Sequence, residues 1–304
     1  MPGPNAPVAL PSTLTLGNGP TVGRLGFGAM RITGRGVWGP PPDEGEAIAL
    51  PRKVADSGVT FIDIADSYGP GVSETLIAKA LWPYPAGLVI ASKGGMTRTG
   101  PGYWRVDCRP HLRRACAESL RRLRLECIEL YQLHSVDQRM PIEDSIGALV
   151  DLQREGKIRC IGVTNVSAAE LSRARKVAEI VSVRSSDALI DICADGRIAF
   201  IPFYPLAKGR LARPDSPLAR IAERHRATPA QIALAWQLHR SPVMLPIPGT
   251  SSLAHFEENI GAASIRLSAE ELRTLAAPNP NFLRSLRSRY LRAFRTLSAL
   301  AGLG

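Results

Sequence analysis

Eight short runs of apolar and β-branched residues alternate with segments of helical periodicity along this chain. The runs occupy residues 25–29, 60–64, 88–92, 128–133, 158–163, 180–183, 198–203 and 243–247. The helical segments occupy residues 43–57, 72–81, 109–124, 142–155, 167–178, 186–195, 216–239 and 252–261. Buried strands that alternate with helices predict a parallel sheet covered by helices. Eight such units in about 250 residues predict a single-domain (β/α)8 barrel, the TIM-barrel fold.

An open doubly wound sheet is the alternative interpretation of the same alternation. That fold carries the pattern G-x-G-x-x-G at its first turn. Here Gly26-Phe27-Gly28 continues to Arg31, so the pattern is absent. We therefore expect one barrel domain over residues 13–277.

Three segments lie at the ends of this barrel or outside it. Residues 1–12 are predicted to be a flexible N-terminus, and the turn Gly17-Asn18-Gly19 predicts a β-hairpin ahead of the first barrel strand. Residues 278–304 are predicted to form an extra amphipathic helix with arginines on its polar face. Such a helix can bind a membrane surface, but it more often packs on its own domain, which is what we expect here.

Composition narrows the classes of protein to consider. With 304 residues, 45% hydrophobic and 21% charged, the chain is typical of globular proteins. The five cysteines form no C-x-x-C pair, the N-terminus lacks a basic signal-peptide region, and no apolar run reaches the roughly 18–20 residues of a membrane span. These features predict a cytoplasmic protein with no membrane partner, and they indicate no particular oligomeric state.

The net charge of +11 could indicate nucleic acid, an anionic membrane or a phosphate-bearing small molecule. Six arginines crowd the predicted helix at 109–124, namely Arg109, Arg113, Arg114, Arg121, Arg122 and Arg124. On an outer barrel helix we expect them to form a solvated face. No nucleic-acid-binding motif accompanies them, so we expect no nucleic-acid partner.

Four chemically active side chains stand where predicted strands end. Asp63 and Tyr68 follow the second strand, Lys93 ends the third and His134 ends the fourth. Each alone is more often a helix cap, a packing residue or a solvated group. In a barrel, however, the carboxyl ends of the strands form the active site, which favours a joint role.

Together these four residues suit the protonation of a carbonyl oxygen. A tyrosine hydroxyl is a poor acid at neutral pH, and a neighbouring lysine cation favours its anionic form. We expect Asp63 to pair with Lys93, and His134 to orient the substrate oxygen by a hydrogen bond. None of the four is a good nucleophile, so covalent catalysis is not indicated, and no metal-ligand cluster is evident.

Six motifs resemble the aldo-keto reductase family in order and spacing: GFGAMR, FIDIADSYG, ASKGG, LYQLH, GKIRCIGVTN and IPGTSSLAHFEEN. The resemblance covers about residues 14–276. It implies a (β/α)8 barrel that uses NADPH, with NADH as the alternative, to reduce an aldehyde or ketone. It implies a catalytic tetrad of Asp63, Tyr68, Lys93 and His134, with Tyr68 as the general acid.

The resemblance also implies a set of cofactor-binding residues. Thr164 and Asn165 match a pair that binds the nicotinamide carboxamide, and Phe203 matches an aromatic residue that stacks on the nicotinamide ring. The full set comprises Ala29, Met30, Asp63, Thr164, Asn165, Phe203, Pro205, Leu206, Lys208, Gly209, Ile247, Gly249, Thr250, Ser251, His255, Glu258 and Asn259. Gly249 and His255 stand where many members carry Lys and Arg.

The sixth strand departs from the family pattern. Relatives usually continue Val-Gln-Asn-x-Tyr-Asn-Leu, whereas residues 181–187 read VSVRSSD and lack the glutamine that would bind the carboxamide. This departure predicts a shortened sixth strand. It also motivates an alternative function, a catalytically weak barrel that binds cofactor or a protein partner as a sensor or subunit.

Aromatic side chains follow two of the strands and could line a substrate pocket. Trp38 lies after the first strand, and Tyr103 and Trp104 lie in the loop after the third. Apolar walls of this kind suit an apolar or aromatic carbonyl compound, although the same side chains could merely cover the barrel end.

Overall fold

The computed structural model describes residues 12–107, 109–185, 187–203 and 217–276. Its strands are β1 (Thr13–Thr15), β2 (Thr21–Gly23), β3 (Phe27–Gly28), β4 (Phe61–Asp63), β5 (Val89–Gly94), β6 (Met96–Gly100), β7 (Tyr103–Val106), β8 (Ile128–Leu133), β9 (Ile158–Thr164), β10 (Ile180–Ser185) and β11 (Ala199–Pro202). Seven of them form one parallel sheet in the order β3-β4-β5-β8-β9-β10-β11. Their neighbours in sequence are also their neighbours in space, as in a barrel.

The eighth strand predicted at 243–247 is a seam with a single β-bridge. Phe200 donates its N–H to the carbonyl of Val243 and accepts from Leu245, and on the other side Gly26 donates to the carbonyl of Pro246. Prolines at 242, 246 and 248 remove the donors that a full ladder needs. The segment therefore closes the (β/α)8 barrel between β11 and β3 without being a regular strand.

Helices follow the barrel strands and cover the outside of the sheet. They are α1 (Glu44–Asp56), α2 (Val72–Leu81), α3 (Arg109–Leu123), α4 (Ile142–Arg154), α5 (Ala168–Val177), α6 (Ile190–Asp195), α7 (Pro217–His225), α8 (Pro229–Arg240), α9 (Leu253–Gly261) and α10 (Ala269–Ala276). Within the residues that the structure describes, none of these helices has the length and apolarity needed to cross a membrane.

Two of the helix predictions were wrong in part. The helix predicted over 216–239 is two helices, because Thr228 caps α8 with a capping box and Pro229 at its first turn cannot continue α7. The helix predicted from residue 186 begins at Ile190, after a 3-10 turn over Asp187–Leu189. Residues 1–11 and the predicted tail at 278–304 lie outside the described residues.

The β-strands separate two apolar layers. The inner layer fills the barrel with side chains that include Phe61, Leu130 and Ile201, and the N-terminal hairpin of β1 and β2 adds Leu16 and Val22 to it. This hairpin was predicted from its Gly-Asn-Gly turn, and β1 and β2 pair antiparallel as expected. A larger outer layer packs the helices onto the sheet. The barrel interior is therefore closed at the N-terminal end, which leaves the carboxyl ends of the strands for a site.

Candidate active site

An ion pair at the carboxyl ends of β4 and β5 forms the base of the site. Lys93 Nζ lies 2.5 Å from Asp63 Oδ1 and donates a second hydrogen bond to the carbonyl of Ile64 at 2.6 Å. Both side chains are buried, and the pairing is the one that the sequence predicted. Gln132 on β8 donates to the other carboxylate oxygen of Asp63 at 3.0 Å.

A second cation, Arg184 of β10, enters the same site. Its Nη1 lies 3.0 Å from Asp63 Oδ1 and 3.3 Å from the Tyr68 hydroxyl oxygen. Its guanidinium also lies over the ring of Phe203, at 5.8 Å from the ring centroid. The Asp63 carboxylate is therefore flanked by two cations from two different strands.

Strand β10 is not shortened, which corrects the expectation drawn from its sequence. It runs over six residues and pairs parallel with β9 and β11, with one register shift against β9 between Ile180 and Ser182, and Arg184 pairs with Thr164 and with Ile201. Because alternate residues of a strand share a face, Ser182 and Arg184 point to the same side. The departure from the family pattern therefore changes which side chain enters the site and leaves the strand intact.

Tyr68 and His134 lie together above this ion pair. Their rings meet edge to face, with centroids 5.8 Å apart, and Ser67 Oγ lies 3.2 Å from His134 Nδ1. Burial, together with the positive charges of Lys93 and Arg184, lowers the pKa of His134 well below its usual value. The imidazole is therefore neutral at neutral pH and carries one N–H.

Three residues of this site were not assigned to it from the sequence. Gln132 stands two residues before His134, so strand alternation places both on one face. Arg184 stands within the apolar run of β10. Its position there indicates a buried partner, because arginine is rarely enclosed without one. Ser67 carried no signal of its own beyond its place between Asp63 and Tyr68.

The predicted nicotinamide-binding residues surround the same site. Asn165 directly follows β9 in a left-handed conformation with φ of 59°, and its Nδ2 donates to the carbonyl of His134 at 2.9 Å. Thr164 Oγ1 is buried and finds no hydrogen-bond partner among the described residues. Phe203 lies beside Arg184, as described above.

The segment that leads from the barrel seam into α9 was predicted to bind phosphate. Gly249 passes so close to Gly28 that a Cβ at position 249 would lie 2.8 Å from the Gly28 carbonyl oxygen. Thr250 Oγ1 accepts from the Ser252 N–H at 2.9 Å, and Ser252 caps α9 by accepting from the N–H of His255. Hydroxyl groups therefore line a helix N-terminus, where anions are favoured.

The other predicted cofactor residues lie at different depths. Ser251 and His255 are exposed, whereas Ala29 and Asn259 are buried and Met30 is half-buried. Ile247 packs into the barrel interior, and Glu258 accepts a hydrogen bond from Thr228, the cap of α8. The remaining predictions, Pro205, Leu206, Lys208 and Gly209, lie outside the described residues.

A hairpin of β6 and β7 covers part of the mouth, within the loop predicted to wall the pocket. Trp104 meets the His134 ring edge to face, with centroids 6.3 Å apart, whereas Tyr103 is largely exposed. Arg98 stacks on Trp104 at 4.0 Å and lies 5.3 Å from the ring centroid of Trp38. It also donates to the carbonyls of residues 36 and 37, which ties the hairpin to the loop after β3.

A separate buried cluster lies on the outer side of β5. Arg122 of α3 donates to Glu74 of α2 at 2.6 Å, and Glu74 accepts from Ser92 at 2.6 Å. Arg122 is thus an anchor and not part of a solvated face, which corrects the expectation for that residue. The described residues hold no group of three or more His, Cys, Asp or Glu side chains suited to a metal ion.

Comparisons with known proteins show the family to which the chain belongs. Pyridoxine 4-dehydrogenase of Escherichia coli is 42% identical over 279 residues, covering 87% of this chain and 97% of that protein. An uncharacterized oxidoreductase of Schizosaccharomyces pombe is 44% identical over 258 residues, covering 82% and 84%. The structure of an aldo-keto reductase from Klebsiella pneumoniae in complex with NADPH superposes with a TM-score of 0.75 at 26% identity, covering 89% and 97%. A model of the aldo/keto reductase family matches residues 24–279, and the chain therefore belongs to that family.

Proposed function

We propose that this chain uses NADPH to reduce the carbonyl group of a small aldehyde or ketone, with Tyr68 as the general acid. This proposal rests mainly on the position of the Tyr68 hydroxyl. It lies at the carboxyl end of the barrel, within 3.3 Å of a cation and edge to face with a neutral imidazole. A hydroxyl in this position can give its proton to a bound oxygen.

The residues present fit the cofactor in three respects. The buried Thr164 hydroxyl lacks a partner among the described residues, as expected of a group that binds a carboxamide. Gly249 is exposed and has no side chain to cover its backbone, and the start of α9 offers hydroxyl groups and the helix N-terminus to a phosphate. When bound, NADPH supplies the hydride for the carbonyl carbon and is released as NADP+.

The side chains then divide the work of protonation. Tyr68 transfers the proton of its hydroxyl to the substrate oxygen, which becomes the hydroxyl of the alcohol product. The neutral imidazole of His134 orients that oxygen, and Ser67 at its Nδ1 fixes the ring. Trp104 packs against the same imidazole and shields the site from water on that side.

Trp38 and Trp104 favour a flat, aromatic substrate. Both indoles are held by Arg98 at the mouth, and the E. coli relative is named for the oxidation of pyridoxine. We infer that aromatic aldehydes, including the 4-aldehyde related to pyridoxine, are the substrate class. The reverse reaction, oxidation of the corresponding alcohol, uses the same groups with Tyr68 as the base.

The experiment follows NADPH absorbance with a panel of aromatic and aliphatic aldehydes, and compares the wild type with Tyr68→Phe. We expect aldehyde-dependent oxidation of NADPH by the wild type and a loss of at least about 1,000-fold in the variant. Affinity for NADPH, measured by quenching of tryptophan fluorescence, should stay within about twofold. An active Tyr68→Phe variant would exclude Tyr68 as the acid.

A second candidate, a cofactor-binding barrel with little catalytic activity, is favoured by one observation. The guanidinium of Arg184 lies over the Phe203 ring, on which the nicotinamide is proposed to stack. Fluorescence quenching by NADPH without turnover of any aldehyde would support this candidate and refute the reductase.

A further inference from the structure

We propose that Arg184, and not Lys93, is the cation that hydrogen-bonds the reacting hydroxyl of Tyr68 and stabilises its phenolate when the proton leaves. The inference rests on the proposed function, since it concerns the same proton transfer. It makes Arg184 a catalytic residue of this chain, at the strand position where the sequence departs from its relatives.

The hydrogen bonds around the hydroxyl carry the proposal. Arg184 Nη1 lies 3.3 Å from the Tyr68 oxygen and 3.0 Å from Asp63 Oδ1. A guanidinium can only donate, so the Tyr68 oxygen accepts and its own proton is free to point to a substrate. An accepting oxygen of this kind becomes more strongly bound to the arginine once it carries a negative charge.

The lysine that was expected to serve this purpose is engaged elsewhere. Lys93 Nζ donates to Asp63 and to the carbonyl of Ile64, at 2.5 Å and 2.6 Å. It lies 5.1 Å from the centroid of the Tyr68 ring, on the ring's face. Lys93 therefore contributes its charge through space and holds Asp63, while Arg184 makes the contact with the hydroxyl.

The setting of Arg184 is that of a fixed charge in an enclosed site. Its side chain is 16% exposed, and Asp63 at 1% holds it in place from below. Strand β10 is paired on both sides, which fixes the backbone from which the side chain extends. The positive charge of Arg184 also acts on His134, where it contributes to the lowered pKa of the imidazole.

Four charged or titratable groups surround Tyr68, and they come from four different strands or strand ends. They are Asp63 from β4, Lys93 from β5, His134 at the end of β8 and Arg184 from β10. Two cations and one carboxylate give the site an excess positive charge beside a neutral imidazole. Without Arg184 the Tyr68 phenolate is therefore harder to form. We expect Tyr68 to stay protonated, and aldehyde reduction to continue, to higher pH.

The first experiment compares Arg184→Gln, Arg184→Lys and the control Arg159→Gln, an exposed arginine that pairs with Glu129. We expect kcat for aldehyde reduction to fall about 100-fold in Arg184→Gln, at the lower end of the range seen when a donor to a developing anion is lost. The alkaline decline of kcat should move to higher pH, because the positive charge of Arg184 beside the developing phenolate has been removed. Arg184→Lys should restore part of both effects, and Arg159→Gln should change neither.

The second measurement does not depend on turnover. Phenolate absorbance is titrated in wild type and in Arg184→Gln, each with the signal of the matching Tyr68→Phe protein subtracted. We expect the Tyr68 phenolate of Arg184→Gln to appear at higher pH. An unchanged titration in a folded variant would overturn the proposal, as would tighter NADPH binding with undiminished kcat, which would make Arg184 a barrier to the cofactor. An inactive wild type refutes the proposed function alone, because the titration still reports on Arg184.

Discussion

Two buried clusters of charged residues lie on opposite faces of β5, one with two cations around a carboxylate and the other with two carboxylates beside an arginine and a histidine. Ser92 and Lys93 are consecutive, so their side chains leave the strand on different sides. Inside the barrel, Lys93 and Arg184 surround the single carboxylate of Asp63. Outside it, Ser92 reaches Glu74, which lies with a second carboxylate, Asp66, near the guanidinium of Arg122.

Burial favours the neutral form of a titratable group in both clusters, which lowers the pKa of a histidine and raises that of a carboxyl group. On the inner side, burial and two cations lower the pKa of His134. On the outer side, burial raises the pKa of both Asp66 and Glu74, and nearby cations offset the shift only in part. The inner cluster faces the mouth and presents cations to a reacting oxygen. The outer cluster is enclosed and joins α2 and α3 to β5. One face of β5 therefore carries residues of the site, and the other carries contacts that hold two helices in place.

The largest effect on stability is expected in the outer cluster. Glu74→Ala leaves the mostly enclosed guanidinium of Arg122 without its buried hydrogen-bond acceptor and removes the acceptor of Ser92, so the free energy of unfolding should fall by about 3–5 kcal/mol. Chemical denaturation measures this. Glu118→Ala is the matched control, because Glu118 pairs with the same arginine from an exposed position, and it should cost less than about 1 kcal/mol. Equal losses would show that burial of the pair is unimportant.

The inner cluster should tolerate the loss of one cation better. Lys93→Met leaves Asp63 in contact with Arg184 and Gln132, so we expect a loss of about 2 kcal/mol in the free energy of unfolding. Adding Arg184→Gln removes the second cation, and the double variant should lose clearly more than the sum of the single ones. Simple additivity would mean that the two cations do not share the carboxylate.

Part of this comparison could be predicted from the sequence. Asp63, Tyr68, Lys93 and His134 stand at strand ends, and the topology of a barrel brings strand ends together, so their proximity follows from the alternation of elements. The role of Arg184 could not be predicted, because it depends on which face of β10 the side chain leaves and on how far the strand runs. The outer cluster was also missed, since a pairing between two helices and a strand leaves no local pattern. The seam at 243–247 was predicted to be a strand because its apolar side chains are typical of one. Its prolines lack the backbone donors of a regular strand, so it forms only a single β-bridge.

Acidification should change the contributions of the two clusters to the free energy of unfolding in opposite directions. His134 stays neutral in the folded protein, whereas in the unfolded chain it takes up a proton below about pH 6.5. Its stabilising contribution is thus complete above that pH and is lost below it, by at most about 1.4 kcal/mol per pH unit. Asp66 and Glu74, whose pKa values are raised, act in the opposite direction. Denaturation at pH 7, 6 and 5 should give a shallower decline for His134→Gln than for the wild type, and parallel declines would contradict the assignment.

The smallest expected effect concerns the mouth of the inner site. Arg98→Gln removes the stacking that holds Trp38 and Trp104, so KM for an aromatic aldehyde should rise about two- to fivefold while kcat stays within about twofold. Arg105→Gln, an exposed arginine on the same hairpin, is the control and should leave KM unchanged. A fall in kcat without a change in KM would place Arg98 in the chemistry.

Arg24 has a consequence for the order in which this barrel is completed. Its guanidinium donates to the carbonyls of Leu238 and Ser241 at the end of α8 and of Met244 in the seam, so the first tenth of the chain caps a helix more than 200 residues away. The seam at 243–247 lies between β3 and β11. During synthesis both strands are open sheet edges until the residues near 247 have emerged. Open edges invite pairing with other chains. The seam covers both edges when it completes the barrel, and it therefore removes two surfaces on which other chains can pair.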